Sequence, residues 1–332
     1  MPQIIRWGIL GAGRIARKFA SDLSLVSDAQ LVAVGSRNQT TCNAFADDFN
    51  IPHRHLSYEA LVNNPEVDII YIATPHMLHY ENTLLCLEHG KAVLCEKPFA
   101  MNAGQVKAMV AKAAEKKLFL MEALWSKFLP QFIKVQEMIK EGLVGQITSI
   151  RADFGFTTTE PEPARLYDPA LGGGSLLDIG IYPVFVALSL LGKPDTIQAT
   201  MTPTRSGVDE QCLISFTYKN GAVAQLFSTI SGNTAVEADI TGRLGRIRMT
   251  NRFHNLTANL EYSGDAAETQ KIAVEKDGSG FGYQYEARHA GDCLRQGLLQ
   301  SPVMSHQDSI DLIETLDAIR KIAGIHYQWD NA

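Results

Sequence analysis

The sequence predicts an α/β chain: an N-terminal doubly wound parallel sheet, then an α+β region whose strands are mainly antiparallel. Three observations carry this. Strand-like and helical patterns alternate at short spacing through about residue 123. The strands among them are apolar on both faces, as in a parallel sheet covered by helices on both sides. From about 195 to 275 the pattern changes to short alternating strands with polar turns, which pair as hairpins into an antiparallel sheet.

The elements follow in order. IIRWGIL (4–10) is a β-branched apolar run that Gly11 ends, and a helical stretch runs from Arg14 to Val26. QLVAVGSR (30–37) is the second strand, and helical patterns at 39–49 and 57–63 bracket a short segment at His53–His55. VDIIYIAT (67–74) and KAVLCEKP (91–98) are further strands, with helices at 78–89 and 102–117 and a short strand FLMEA at 119–123. Right-handed crossovers between such strands give the doubly wound arrangement. A helix at 131–141, a long strand at 146–156 and a helix at 178–191 come next. Lys219-Asn220-Gly221 is a hairpin signal suited to a type I′ turn. Helices at 281–298 and 306–324 close the chain.

A chain of 332 residues favours two domains, placed at 1–123 and 124–332, with the C-terminal helices free to pack back toward the first. At 45% hydrophobic residues both cores can be filled without disulfides or structural metal. The net charge of -6 and the lack of a basic stripe argue against a nucleic-acid partner. Cys42, Cys86, Cys95, Cys212 and Cys293 form no CxxC pair, which excludes zinc-ribbon and thioredoxin-type readings and fits free thiols in a reducing compartment. No signal-like segment and no apolar run of membrane-spanning length is read, so the expectation is a cytoplasmic protein with no membrane partner.

Four constellations carry chemistry. Gly11-Ala12-Gly13-Arg14-Ile15-Ala16 stands between a strand and a helix. Gly11 permits the tight turn, Gly13 lets backbone approach a pyrophosphate, and the helix start at Arg14 and Ile15 supplies N–H donors. At the end of the second strand, where an acidic residue would bind ribose hydroxyls of NAD, stand Ser36 and Arg37. A hydroxyl and a guanidinium suit a 2′-phosphate and point to NADP, with NAD the alternative; the competing reading makes Arg37 a solvated loop residue. Thr74, Pro75, His76 and His79 follow the 67–74 strand at the crevice edge of the sheet, with no third ligand at metal spacing. His79 reads equally as an ordinary helix-cap or surface histidine. Glu96-Lys97-Pro98 ends the next strand, where a lysine can donate a proton or steady an alkoxide. Finally, Gly172-Gly173-Gly174 precedes Asp178 and Tyr182, which share a face if a helix begins near Leu177. Tyr182 reads either as a packing tyrosine or as an acid–base group.

GILGAGRIA, ATPHMLHYE, CEKPF and GGGSLLDIGIYP together resemble the Gfo/Idh/MocA (glucose-fructose oxidoreductase) family, over essentially the whole chain. MEALWSKFLP, the DxGxYP segment and YEARHAGDCLRQGLLQSPVM are similar to its dihydrodiol dehydrogenase and D-xylose 1-dehydrogenase branch. The resemblance implies a Rossmann domain followed by an α+β domain with a large, mainly antiparallel open sheet. It implies that Lys97 touches nicotinamide ribose and substrate, and that Tyr182 takes the acid–base role that histidine fills in many members. Trp125, Phe154 and Phe156, joined by Phe281, would form the aromatic wall facing substrate.

The expected activity is therefore hydride transfer between NADP and a carbinol of a vicinal diol or aldose, with Asp178 orienting Lys97 or the substrate. An inositol or sugar-phosphate dehydrogenase and a non-catalytic NADP-binding sensor are the alternatives; the presence of both Lys97 and Tyr182 favours catalysis over the sensor. Apolar residues on both faces of QCLISFTYK and AVAQLFSTI predict a homodimer through the open sheet. Arg37→Asp is expected to weaken NADP binding by about tenfold to a hundredfold, the value of one charge-assisted contact. Fluorescence titration checks it, and equal affinity of the unaltered chain for NAD and NADP would refute it.

Overall fold

The computed structural model describes residues 3–159, 165–264 and 268–331. By internal contacts the chain forms two units, each of two segments: Met1–Phe128 with Gly278–Ile310, and Leu129–Asp277 with Asp311–Ala332. The contiguous division at 123/124 read from the sequence thus differs from the units found, which interleave.

The first unit holds a six-stranded parallel sheet. Its strands are β1 (Ile5–Leu10), β2 (Ala29–Gly35), β3 (His53–His55), β4 (Ile69–Ile72), β5 (Ala92–Glu96) and β6 (Leu120–Ala123). They lie in the order β3-β2-β1-β4-β5-β6. The order reverses between β1 and β4, so the ligand crevice of this fold lies outside the carboxyl ends there. Every residue of β4, β5 and β6 is buried, as strands covered on both faces must be. The helix Arg14–Leu23 buries Ala16, Phe19, Ala20 and Leu23, one face at helical spacing. Its Phe19 is fully buried and stacks on Tyr71 at 3.7 Å.

The segment Gly278–Ile310 is tied to this unit by the Asp22 carboxylate, with Arg295 pairing to Asp28 and His306 to Leu120 O besides. The buried Asp22 accepts hydrogen bonds from the amides of Phe281 (3.0 Å), Gly282 (2.8 Å) and Tyr283 (2.8 Å). It thereby serves donors at the start of the helix Tyr283–Arg295, whose own cap residue is Gly282. Each amide left bare in the interior would cost about 1–3 kcal/mol.

The second unit holds an eight-stranded sheet. Its strands are β7 (Ile147–Gly155), β8 (Thr196–Pro203), β9 (Asp209–Thr217), β10 (Val223–Thr229), β11 (Ala238–Gly242), β12 (Gly245–Thr250), β13 (Asn259–Gly264) and β14 (Gln270–Ile272). The order is β14-β13-β12-β11-β7-β10-β9-β8, antiparallel except for the central β7–β10 pair. Ile150, Ala152, Ala224, Leu226 and Ile214 are buried on the face that meets the helix Ile181–Leu191. On the other face Leu213 is 54% exposed and Val223 38%. There Glu261, Arg248, Asp239 and Arg151 stand opposite one another on successive strands.

Two expectations need correction. Asn220 does not take a left-handed conformation; Gly221 does, at φ 85°. The β9–β10 hairpin therefore closes as a type I turn with a glycine bulge, Gly221 N–H donating to Tyr218 O and Tyr218 N–H to Ala222 O, rather than as type I′. The run Pro169–Leu191 is also long and apolar enough to cross a membrane, contrary to the sequence reading, but 72% of its most apolar stretch is buried in the unit. It is a core element whose apolar surface the sheet covers.

Candidate active site

In the first unit the strand ends converge on the glycine turn. Gly11 has φ 98°, and a Cβ there would stand 3.0 Å from Ala73 O, so only glycine fits. Its N–H donates to Gly35 O at 2.9 Å, joining the ends of β1 and β2. Gly13 caps the helix Arg14–Leu23 without a side-chain bond, and a Cβ on it would meet nothing within 4 Å. The first amides of a ten-residue helix thus face a cradle free of side chains, with Arg14 exposed and Ile15 half-buried beside it. A dinucleotide pyrophosphate fits this cradle, because backbone donors and the helix dipole both favour an anion. Beyond β2, Ser36 is buried, and Arg37 is exposed with its guanidinium 5.4 Å from the Tyr58 ring centroid.

The turn after β5 is clamped from beneath. Glu96 Oε2 accepts the Lys97 amide at 3.1 Å, and Glu122 Oε1 accepts the Phe99 amide at 3.1 Å. Tyr71 O–H donates to Glu96 Oε1. His79 has Nδ1 2.8 Å from Pro98 O and Nε2 2.9 Å from Thr74 O. Both neighbours are carbonyls and burial drives its pKa down to about 4, so the neutral ring donates to one of them at a time. Asn82 donates to Thr74 Oγ1 at 3.0 Å. His79 is fully buried, which corrects its assignment to cofactor contact: it ties the Thr74 loop to the Lys97–Phe99 turn. Pro75 is exposed, while Thr74, His76 and Glu96 are largely buried and Lys97 is half-buried.

Two of the three acids under this turn, Glu122 and Glu286, escaped the sequence reading as functional groups. Burial pushes the Glu122 carboxyl up to about 7. Burial, with Glu96 and Asp22 nearby, holds Glu286 well above the usual carboxylate range, and neither of its carboxyl oxygens has a hydrogen-bond partner among the described residues. Glu96 itself is paired with the phenol of Tyr71, whose pKa burial also raises. Tyr71 stands in the otherwise apolar run VDIIYIAT, the one hint that a polar partner waited inside.

Two aromatic candidates also lie in this unit. Trp125 is buried and stacks on Tyr283 at 4.5 Å. Phe281 is 49% exposed, with Lys18 Nζ 5.3 Å from its ring centroid.

The second unit builds its own site. Gly174, at φ 108°, lies against Asp209: a Cβ there would fall 2.1 Å from Asp209 Oδ1. Asp209 Oδ2 accepts the Leu176 amide at 2.6 Å and the Ser175 hydroxyl at 2.8 Å, and burial raises its pKa to about 6. This anchors a π-turn at Leu176–Gly180 that leads into the helix Ile181–Leu191. The expected regular helix from Leu177 thus starts wider than α-helical, a distortion frequent at functional positions. Asp178 is paired with Arg165 at 3.0 Å. Tyr182 is 6% exposed, and its ring lies 5.1 Å from His254 and 5.8 Å from Phe154. His254 in turn stacks on Phe154 at 4.1 Å, and Phe154 meets Phe156 edge-on at 6.4 Å. The structure thus brings Tyr182, Phe154 and Phe156 together, with His254 added from a loop that carries no motif.

A parallel sheet of this order, with a glycine turn opening onto a helix start at its switch point, is a dinucleotide-binding fold. The comparisons specify which kind. Residues 5–124 match the model described as an oxidoreductase family with an NAD-binding Rossmann fold, and residues 132–248 match the GFO/IDH/MocA C-terminal domain, so the chain belongs to the Gfo/Idh/MocA family. It is 38% identical to trans-1,2-dihydrobenzene-1,2-diol dehydrogenase of Mus musculus, over 98% of this chain and 99% of that one. Among solved structures it resembles KijD10, a 3-ketoreductase from Actinomadura kijaniata in complex with NADP and TDP-benzene, at 27% identity and TM-score 0.86, covering 97% of this chain and 98% of that one. An aldose-aldose oxidoreductase from Caulobacter crescentus, 24% identical over 97% of this chain and 98% of its own with TM-score 0.89, shares the fold. The chain is an NAD(P)-dependent dehydrogenase.

The Glu122 carboxyl makes a stability prediction. Its pKa is raised from an ordinary 4.5 to about 7. The fold therefore favours the neutral form, and the stability it contributes is whole below about 4.5 and lost as pH rises through 7. Glu122→Gln should leave stability nearly unchanged at pH 5 and raise it at pH 8 by up to about 3 kcal/mol. Denaturant unfolding at the two pH values checks this; a difference independent of pH would refute it.

Proposed function

We propose that the chain uses NADP to oxidise a carbinol of a vicinal diol or an aldose, and reduces the corresponding carbonyl in reverse. The observation that carries the reading is a lysine at the turn after β5, together with a phenol on the helix that follows the π-turn, in a chain 38% identical throughout to a diol dehydrogenase. Ser36 and Arg37 at the end of β2 support NADP over NAD, since a guanidinium suits a 2′-phosphate. The five cysteines, all free and buried, support a cytoplasmic setting.

The roles follow from the residues. Gly11, Gly13 and the amides at Arg14 and Ile15 hold the pyrophosphate. The bound nicotinamide supplies the acceptor for hydride at the carbinol carbon. Tyr182 takes the hydroxyl proton in oxidation and returns it in reduction, because a proton must leave as the hydride does. Lys97 supplies a cation that favours an alkoxide. The carboxylates of Glu96 and Glu122 fix the backbone on either side of Lys97, so its stem starts from a defined point. Phe154 and Phe156 present ring faces to the substrate beside Tyr182. Asp178, paired with Arg165 at 3.0 Å, orients the substrate rather than accepting the proton.

Tyr182→Phe keeps the ring and removes the proton site. Turnover should fall by about 10²–10⁴ while NADP affinity barely changes, and the pH–rate profile should lose its basic-limb ionisation. Near-normal turnover of this variant would pass the proton to Lys97 or a water.

The open sheet face supports a homodimer. Leu213, Val223 and the half-buried Phe227 lie beside ion pairs of alternating sign, Arg151–Asp239 at 3.4 Å, Arg248–Glu237 at 2.7 Å and Arg248–Glu261 at 3.4 Å. An apolar patch edged by charges of both signs suits a copy of itself under two-fold symmetry. Light scattering should give twice the 36.5 kDa chain mass at micromolar concentration, and Leu213→Arg should shift it toward monomer. A monomer from the unaltered chain removes the dimer.

A further inference from the structure

Beside Tyr182 the second unit holds a cavity of about 500 Å³. Phe154 and Phe156 form one side, and Asn233, Val236, Asn251 and Arg252 another. This is the size of an ordinary small-molecule site. Its wall is unusual in its backbone. Of five non-glycine residues with left-handed φ among the described residues, three line this cavity: Val236 at 54°, Asn251 at 57° and Arg252 at 67°. A β-branched valine in that region is a steric outlier, and such strain persists only where neighbours hold it.

The neighbours are identifiable. Val236 N–H donates to Asp153 Oδ2 at 2.9 Å, and Val236 O accepts Phe253 N–H at 3.1 Å, which latches the two strained stretches together. Asn251 Nδ2 donates to Thr257 O at 2.9 Å, and Thr257 Oγ1 donates to Asn251 O at 3.2 Å. Both bonds close the turn that presents Arg252.

Arg252 is the charge in the wall. It is exposed, and its guanidinium has no hydrogen-bond or ion-pair partner among the described residues. No carboxylate among the described residues lines the cavity. Of the other arginines of this unit, Arg151 and Arg246 pair with Asp239, Arg248 with Glu237 and Glu261, Arg165 with Asp178 and Arg320 with Asp317 and Asp330, while Arg205 is exposed and, like Arg252, unpaired among the described residues. A strained turn has thus been latched to aim an uncompensated planar cation into an aromatic-walled cavity next to the phenol.

We propose that this cavity takes the end of the substrate remote from the reacting carbinol, and that Arg252 binds an oxyanion there, a carboxylate or a phosphate. The proposal rests on Tyr182 as the proton acceptor, and it narrows the substrates to acidic polyols: sugars or diols that carry a charged group on the far side of the ring from the oxidised carbon. The guanidinium fork matches either oxyanion with two parallel hydrogen bonds, while the phenyl rings pack the apolar face of the ring between.

The test compares D-glucose, D-glucuronate and D-glucose 6-phosphate as substrates of the NADP-loaded enzyme and of Arg252→Gln, which keeps the stem and removes the charge. In the unaltered chain at least one charged sugar should exceed glucose in kcat/KM by about tenfold to a hundredfold, the worth of one charge-assisted contact. The ratio of charged to neutral kcat/KM should fall by most of that factor in Arg252→Gln. Whichever charged sugar leads identifies the oxyanion. Calorimetric titration of the NADP-loaded chain with inorganic phosphate, which needs no turnover, should show binding weakened at least about tenfold by the substitution. If phosphate binding depends on Arg252 but none of the three sugars is turned over, the anion site stands and the aldose reading falls. If sugars are turned over with a charged-to-neutral ratio that Arg252→Gln leaves alone, and phosphate binds both proteins equally, the anion site falls and the dehydrogenase reading stands.

Discussion

One carboxylate decides where the returning chain must lie. Asp22, buried on the first helix of the nucleotide-binding unit, receives three consecutive amides from Phe281, Gly282 and Tyr283. Buried amides require partners, so the helix Tyr283–Arg295 can start in one place only. That helix then places Tyr283 against Trp125 and Glu286 among the buried acids near Glu96. Chemistry assigned to residues near 97 is therefore braced by residues beyond 280, through a contact formed in the first helical turns of the chain. An aspartate inside an amphipathic helix reads as a surface residue when its partners lie that far along the sequence.

Much of the fold was legible because its signals are local. The strand runs, the glycine turn and the hairpin region each announce themselves within about ten residues, and the parallel sheet follows from strands apolar on both faces. The motifs that hold Lys97 and Tyr182 stand out for the same reason, since each is compact. What the sequence hid depends on contacts between distant segments. His254 joins Tyr182 and Phe154 from a loop with no pattern of its own. The clamp on the Lys97 turn draws Glu122 from the next strand and His79 from the preceding helix. The left-handed residues at Val236 and Arg252 carry no glycine or Asx signature to betray them, and the interleaving of the two units appears only once Asp22 finds its amides. His79 shows the opposite failure: its position at a crevice-facing turn suggested contact with cofactor, whereas burial gives it to the scaffold.

The first unit concentrates acid where the chemistry wants a cation. Glu96, Glu122 and Glu286 are all buried, and at neutral pH a low-dielectric interior does not tolerate three like charges together. The resolution is unequal sharing. Glu96 takes hydrogen bonds from a phenol and an amide, Glu122 is pushed up to about 7 by burial against a hydroxyl and an amide donor, and burial holds Glu286, without any hydrogen-bond partner among the described residues, well above the usual carboxylate range.

The parallel pair at the centre of the second sheet sets a schedule for folding. β7 is flanked by β10 and β11, both of which emerge far later along the chain, while β8–β9, β9–β10 and β11–β12 are neighbours in sequence. The hairpins can close early and locally, but the strand that carries Phe154 has no partner until those distant segments arrive. Non-local pairings of this kind come late, because loop-closure entropy is spent before any contact rewards it. The aromatic wall beside Tyr182 is therefore among the last surfaces to be completed. Until then β7 offers two bare edges, rich in apolar side chains, to whatever strand reaches it first.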